Sequence, residues 1–325
     1  MLEENKVHKL DWTKNNLPDK SINLMLCDPP YYEVKGEFDF IWPTFQDYLN
    51  QVEIWAKECK RLLTDNGTLF WYGHAKKIAY AQIIFDKYFN LENNLVWRKG
   101  DCKTMKSSPE MMRTFAPITE RILMYSNYSQ GENDWKNNNA TMYFEGYDVI
   151  RLYLKNEIEK LGSQTYAAEL VGVSGRTVGH YVSKSQWLFP TKEIYEKLQS
   201  HGILSKPYEE LRKEYEELRK EYEELRRPFN NFNGLQYDVL DYSQESHITK
   251  DYDHPTKKPE SLTRALIMTC SRANDTVLIP FSGSGTEAAM CQRLGLKFYA
   301  FDIEEKYVEM GNKRIWNEKR QLKLF

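Results

Sequence analysis

The segment Pro280–Thr286, PFSGSGT, most narrows what this chain can fold into. It follows a short apolar run, Thr276–Ile279, and opens a stretch with helical patterning. Two glycines one residue apart let the backbone turn tightly and approach a ligand without interference from a Cβ. A second apolar run, Phe298–Phe301, comes next, and Asp302 ends it nineteen residues beyond Gly283. A carboxylate at that place can accept hydrogen bonds from both hydroxyls of a ribose. Taken alone, the two glycines mean no more than a tight strand-to-helix turn. Strand, glycine loop, helix, strand and acid together point to a nucleoside site in an open α/β sheet. The third glycine of the dinucleotide fingerprint is absent, since Glu287-Ala288-Ala289 follows Thr286. A ligand without a pyrophosphate therefore fits better than a dinucleotide.

The opposite end of the chain carries a second strand with a loaded turn. Ile22–Cys27 (INLMLC) is apolar enough for a buried strand and stops at Asp28-Pro29-Pro30-Tyr31. In an open α/β sheet that places the turn at the carboxyl edge, where ligands bind. Asp and Pro are common turn residues. Two prolines before an aromatic also stiffen the loop and leave carbonyls without a competing local N–H. Helical spacing over residues 45–63 and 78–88, with strand candidates at 68–72, 95–97 and 122–125, predicts a largely parallel sheet covered on both faces.

Between these ends the character changes. Residues 126–140 are polar and Asn-rich, helical patterns dominate to about residue 227, and a second Asn-rich stretch runs to about 253. The expected organisation is an α/β domain built from residues 1–126 and 254–325, interrupted by an inserted, mainly helical region over 127–253. Five scattered cysteines without CxxC spacing argue against a zinc site, so no metal is expected. The formal net charge of −2 gives no global basic signature, and any nucleic-acid contact must be local. The amino-terminal residues have no signal-peptide core and no run reaches membrane-span length, which predicts a cytoplasmic protein.

DPPY at 28–31, HPTKKP at 254–259 and PFSGSGT at 280–286, in that order, resemble the beta group of amino-methylating DNA methyltransferases. The resemblance covers roughly residues 7–125 and 254–320 and leaves the insert out. It implies a Rossmann-like methyltransferase sheet with a circularly permuted motif order, S-adenosyl-L-methionine as cofactor, and double-stranded DNA as substrate. It also implies that Asp28 and the Pro29 carbonyl accept the two N–H groups of an exocyclic amine, while Pro30 stiffens the turn. The amine nitrogen is then pulled toward tetrahedral geometry and its lone pair freed to attack the methyl group. Tyr31 would stack on a target base flipped out of the duplex. Asp in the first motif position accompanies adenine N6 in this family more often than cytosine N4. The cofactor positions carried over are Phe281, Gly283, Gly285, Thr286 and Asp302, with Thr256 and Lys258 from the preceding segment. Asp11 matches the acidic residue ahead of the catalytic strand, or is simply a surface acid. Where the family has an acidic residue just before Pro-Phe, this chain has Ile279, which puts cofactor affinity in doubt.

Within the insert, Ala167–Val182 (AAELVGVSGRTVGHYV) follows a helix-turn-helix pattern over about 163–183. Ala168 would let the helices cross, Gly172 would turn the chain and Val178 would pack beneath. Ser174, Arg176, Thr177 and His180 would face outward on a recognition helix. A compact helical hairpin without DNA contact has the same pattern. The loop over 100–117, with Arg98, Lys99, Lys103, Lys106 and Arg113 in or beside it, is a second basic candidate for DNA contact, or a surface loop only. Residues 208–226 repeat YEELRKE, within a helix expected over about 206–227. The stripe of Tyr and Leu suits either a spacer helix leaning on its own domain or a helix that makes a homodimer. A separately encoded restriction enzyme is a further candidate partner. The remaining alternatives are cytosine N4, an RNA adenine or a protein amide as substrate, or a DNA-binding regulator with an inactive α/β domain.

Overall fold

The computed structural model describes residues 2–34, 37–100, 113, 115, 117–127, 144–230, 237–243 and 257–322. The chain divides into two compact units, residues 1–132 with 227–325, and residues 133–226.

The first unit is built on eight strands. In chain order its elements are β1 (Lys6–Lys9), β2 (Ile22–Cys27), α1 (Phe45–Leu62), β3 (Leu63–Gly73), α2 (Ile78–Phe85), β4 (Asn90–Arg98) and β5 (Thr119–Ser126). The second unit supplies α3 (Asp148–Glu159), α4 (Gln164–Val171), α5 (Gly175–Val182), α6 (Lys192–Ser200) and α7 (Tyr208–Leu225). The chain then returns with β6 (Val239–Asp241), α8 (Glu260–Cys270), β7 (Thr276–Ile279), α9 (Thr286–Arg293), β8 (Lys297–Asp302) and α10 (Glu305–Leu322).

The strand order is β1-β8-β7-β2-β3-β5-β4-β6, and every pairing is parallel except those of β5 with β3 and β4. Both faces of the sheet are covered, which is why its strands read as near-continuous apolar runs. Alternate side chains divide between two cores. Leu24, Leu26, Phe70, Tyr72, Val277 and Ile279 meet α8, α9 and α10. Met25, Cys27, Leu69, Trp71 and Leu278 meet α1 and α2. Each fully buried large apolar side chain contributes about 1.5–3 kcal/mol relative to an exposed one. A capping box starts α1: Thr44 Oγ1 accepts from the Asp47 N–H, and the Asp47 carboxylate accepts from the Thr44 N–H, each at 3.1 Å.

Two edge strands escape sequence reading. β1 and β6 each bury a single side chain, Val7 and Leu240, because an edge strand needs little apolar surface. Polar composition assigns residues 228–253 to the insert, yet β6 pairs with β4 and belongs to the sheet unit.

The chain leaves β2 toward β3 on one side and β7 toward β8 on the other, while β2 and β7 lie side by side. The strand order therefore reverses between them, and a crevice opens at their carboxyl ends. The register Leu24↔Val277 and Met25↔Leu278, carried forward, sets Asp28 level with Phe281.

In the second unit, Ser163 caps α4 by accepting the Tyr166 N–H, and Gly172 ends it at φ +75°, a conformation that favours glycine. Ser174 then caps α5. Ala168, Val178 and Val182 are buried between the helices. The heptad stripe of α7 packs inside this unit: Leu211 is fully buried, and Tyr215 stacks on Phe189 at 4.6 Å. Toward its end the stripe opens, and Leu225 is exposed.

Candidate active site at the carboxyl edge of the sheet

Five strand ends supply the site. After β2, Asp28 presents both oxygens inward. Its Oδ1 accepts the Tyr31 hydroxyl at 2.6 Å, and its Oδ2 lies 2.7 Å from the Lys258 ammonium. The Tyr31 N–H donates to Asp39 at 2.6 Å, which fixes the turn after the two prolines. Tyr32 and Glu33 then both adopt positive φ, +59° and +49°, so this turn is held under strain. Lys77 steadies it by donating to the Tyr32 carbonyl.

Lys258, 3% exposed, also lies 3.5 Å from Glu120 and sits among the rings of Tyr31, Tyr72 and Trp97, at 5.5, 5.1 and 6.0 Å from their centroids. Glu120 is paired in turn with Lys99. Burial works against the Lys258 charge, but Asp28 and Glu120 outweigh it and hold the ammonium above its ordinary value. Burial pushes the Asp28 carboxyl up, with Lys258 opposing. Glu120 is held below its usual range, because Lys258 and Lys99 overcome the effect of its burial.

Beside Asp28, the glycine loop follows β7. Gly283 and Gly285 have φ of +45° and +72°, and a Cβ on Gly285 would lie 2.7 Å from Gly311 Cα of α10. Arg314 of α10, 2% exposed, donates to the Ser284 carbonyl at 3.1 Å and to Thr286 Oγ1 at 2.9 Å, and pairs with Glu260. Asp302 accepts the Gly283 N–H at 2.8 Å and the Glu304 N–H at 3.0 Å. Phe281 packs edge-on against Trp12 and Trp55. Asp11 caps the short turn after β1, taking the Thr13 N–H at 3.1 Å, next to β8, where the Leu10 N–H meets the Asp302 carbonyl.

These placements sort the expected residues. Asp28, Pro29, Pro30, Tyr31 and Lys258 gather at one point, with Lys258 against the Asp28 carboxylate. Phe281, Gly283, Gly285, Asp302 and Asp11 follow along the same edge through β7, β8 and β1. Thr286 is fully buried and bonded to Arg314 and Ser284, so its side chain braces the loop. Ile279 is completely buried in the core. Thr256, Lys103 and Lys106 lie outside the described residues. Arg113 is exposed, whereas Arg98 and Lys99 are paired with Asp241 and Glu120. On α5, Arg176 is exposed; Ser174 accepts the Thr177 N–H at 3.2 Å, and the two hydroxyls meet at 2.9 Å.

Sequence reasoning missed Glu120, Glu287 and Arg314. Glu120 opens β5, and only because β5 runs backwards does its amino end reach the carboxyl edge of the other strands. Glu287, buried after the glycine loop, has its carboxyl pushed up to about 7 by burial and by Asp28. Arg314 stands on the last helix with no local signal. The cradle of loop backbone, the Asp302 carboxylate and the buried Glu287 carboxyl, whose Oε1 has no hydrogen-bond partner among the described residues, suit a cationic nucleoside derivative.

Comparison with known proteins agrees with this geometry. A family model described as DNA methylase, of the N6/N4 class, matches residues 22–313. The chain is 23% identical over 305 residues to the DNA adenine methyltransferase YhdJ of Escherichia coli (strain K12), covering 92% of this chain and 78% of that protein. It is 24% identical over 311 residues to the type II methyltransferase M.HpaI of Haemophilus parainfluenzae, covering 93% and 71%. The solved complex of M1.HpyAVI with SAM superimposes with a TM-score of 0.50 at 15% identity, over 95% of this chain and 98% of that one, a likeness of fold.

Proposed function

This chain belongs to the N6/N4 DNA methylase family, and from that premise we propose that it methylates N6 of adenine in double-stranded DNA at a specific site. Its cofactor is S-adenosylmethionine, which supplies an electrophilic methyl group. The observation that carries the adenine reading is Asp28, a carboxyl rather than a hydroxyl at the head of the DPPY turn, level with the glycine loop. An adenine methyltransferase among the relatives supports it.

The chemistry asked of the protein is positioning and electrostatics. Asp28 and the Pro29 carbonyl accept the two N–H groups of the amine, so the nitrogen lone pair is no longer delocalised into the ring. In the structure Tyr31 and Lys258 already fill the inward positions of Asp28, so the target amine must compete with them. Lys258 opposes the effect of burial on Asp28 and so favours its ionised, accepting form. Tyr31, with its hydroxyl on Asp28, would turn its ring to the flipped base. Phe281, Gly283, Gly285, Asp302 and Asp11 would hold the cofactor, with Arg314, Ser284 and Thr286 bracing the loop beneath it.

For DNA, we assign recognition to α5, where Arg176 and His180 would reach the major groove while Ser174 and Thr177 start the helix. Arg113 and its neighbours would add phosphate contacts. The relative named as a type II methyltransferase makes a separately encoded restriction enzyme a reasonable partner. The deciding experiment is incubation with mixed-sequence duplex and S-adenosylmethionine, followed by nucleoside mass spectrometry. N6-methyladenine from the wild type and none from Asp28→Ala is the expected result. N4-methylcytosine would overturn the base assignment.

A further inference from the structure

Glu287 is the charged residue of this edge that methyl transfer, as outlined above, leaves unused. It stands in the first turn of α9, directly after the glycine loop, and is 5% exposed. Its Oε1 has no hydrogen-bond partner among the described residues. A buried polar atom without a partner is unfavourable, and one retained beside a reaction centre calls for an explanation.

The groups that act on Glu287 come from every side. Asp28 follows β2, Tyr72 ends β3, Lys258 precedes α8, Arg314 comes from α10, and Cys291 is one turn along α9. Charge matching among them is incomplete. Lys258 is shared by Asp28 and Glu120, Lys99 is paired with Glu120, and Arg314 faces Glu260 and the loop. Three carboxyls, Asp28, Glu120 and Glu287, therefore meet two ammonium groups, and among the described residues no Lys or Arg nitrogen lies within ion-pair distance of Glu287. Its carboxyl titrates near neutrality, so a cation arriving beside it would tip it into the charged form.

We propose that Glu287 is the counter-ion of the methyl donor's sulfonium, so that the pocket distinguishes the cationic donor from its neutral thioether product. The inference rests on the reading of this edge as a methyl-transfer site. Its consequence is that the product loses, on transfer, the charge that held the donor.

Titration calorimetry of the full chain with S-adenosylmethionine and with S-adenosylhomocysteine, at pH 6 and pH 8, tests it. The wild type should prefer the sulfonium, and more so at pH 8. Glu287→Gln should lose on the order of tenfold in S-adenosylmethionine affinity while keeping its affinity for S-adenosylhomocysteine, and should lose the pH dependence. Retained thioether binding also reports that the variant is folded. Equal weakening of both ligands, or no change in either, overturns the proposal and leaves the cofactor assignment standing. A wild type that binds neither ligand overturns both.

Discussion

The carboxyl edge of the sheet and the surface of the helical unit handle charge in opposite ways. At the edge, Asp28, Glu120, Lys258 and Arg314 are withdrawn from water, and each is tied to partners on several elements. In the helical unit most ion pairs are exposed and local, such as Lys197 with Glu193, Lys155 with Glu159 and Arg212 with Glu216. Exposed pairs of this kind contribute about 0–1 kcal/mol. Breaking a buried pair is far more damaging, because an uncompensated charge remains. One region thus holds its charges by pairing between elements, whereas the other has exposed side chains such as Arg176.

The widest separation between the regions should appear at Asp28. Asp28→Ala is expected to lower the methylation rate by on the order of a thousandfold or more, with S-adenosylmethionine binding retained in calorimetry. A smaller loss would mean that the Pro29 carbonyl suffices to activate the amine.

Bracing of the glycine loop should register next, as stability. Arg314→Met removes the donor to the buried Ser284 carbonyl and one partner each of Thr286 and Glu260, and is expected to destabilise by about 3 kcal/mol in denaturant unfolding. Gly285→Ala forces a side chain into positive φ against Gly311 and should act in the same direction by about 1–3 kcal/mol. If both variants unfold like the wild type, the loop is not held as described.

Glu287 gives a pH-dependent version of the contrast. Its folded-state carboxyl value is raised, so the stability associated with the protonated form is complete at low pH and is lost as pH rises through about 7. In the ligand-free protein, Glu287→Gln should therefore be more stable than wild type at pH 8, by about 2–3 kcal/mol, and nearly equal to it at pH 4.5. Parallel melting curves at the two pH values check the sign. Equal differences at both would detach Glu287 from the titration.

The smallest effect belongs to the helical unit. Arg176→Ala should weaken duplex binding several-fold and lower its salt dependence by about one counterion, while stability and cofactor affinity stay unchanged. A loss of cofactor binding there would undo the separation of roles.

Much of the first unit could be read in the sequence because its signals are local. A fully buried strand is an unbroken apolar run, and INLMLC and TVLI stand out for that reason. The glycine loop and the DPPY turn are short, and their chemistry needs those residue types. The helical pair α4 and α5 is legible from Ala168, Gly172 and Val178, whereas Ser174, expected to face outward for DNA, caps α5. The heptad stripe of α7 was ambiguous, since the same residues suit a neighbour in the chain or a second copy; within the chain it packs on Phe189 and Tyr195. β1 and β6 were invisible, each having one inward side chain.

The sequence by itself determined which residues head the two loops, DPPY after one apolar strand and PFSGSGT after another. Only the tertiary structure decided what stands beside them. The parallel pairing of β2 with β7 joins the two loops, the reversal of β5 brings in Glu120, and α10 carries Arg314 under the glycines. Backbone preferences and caps act over a few residues and are written locally. Burial, charge pairing and the shift of a carboxyl toward neutrality arise between segments far apart in the chain, and exist only once it has folded.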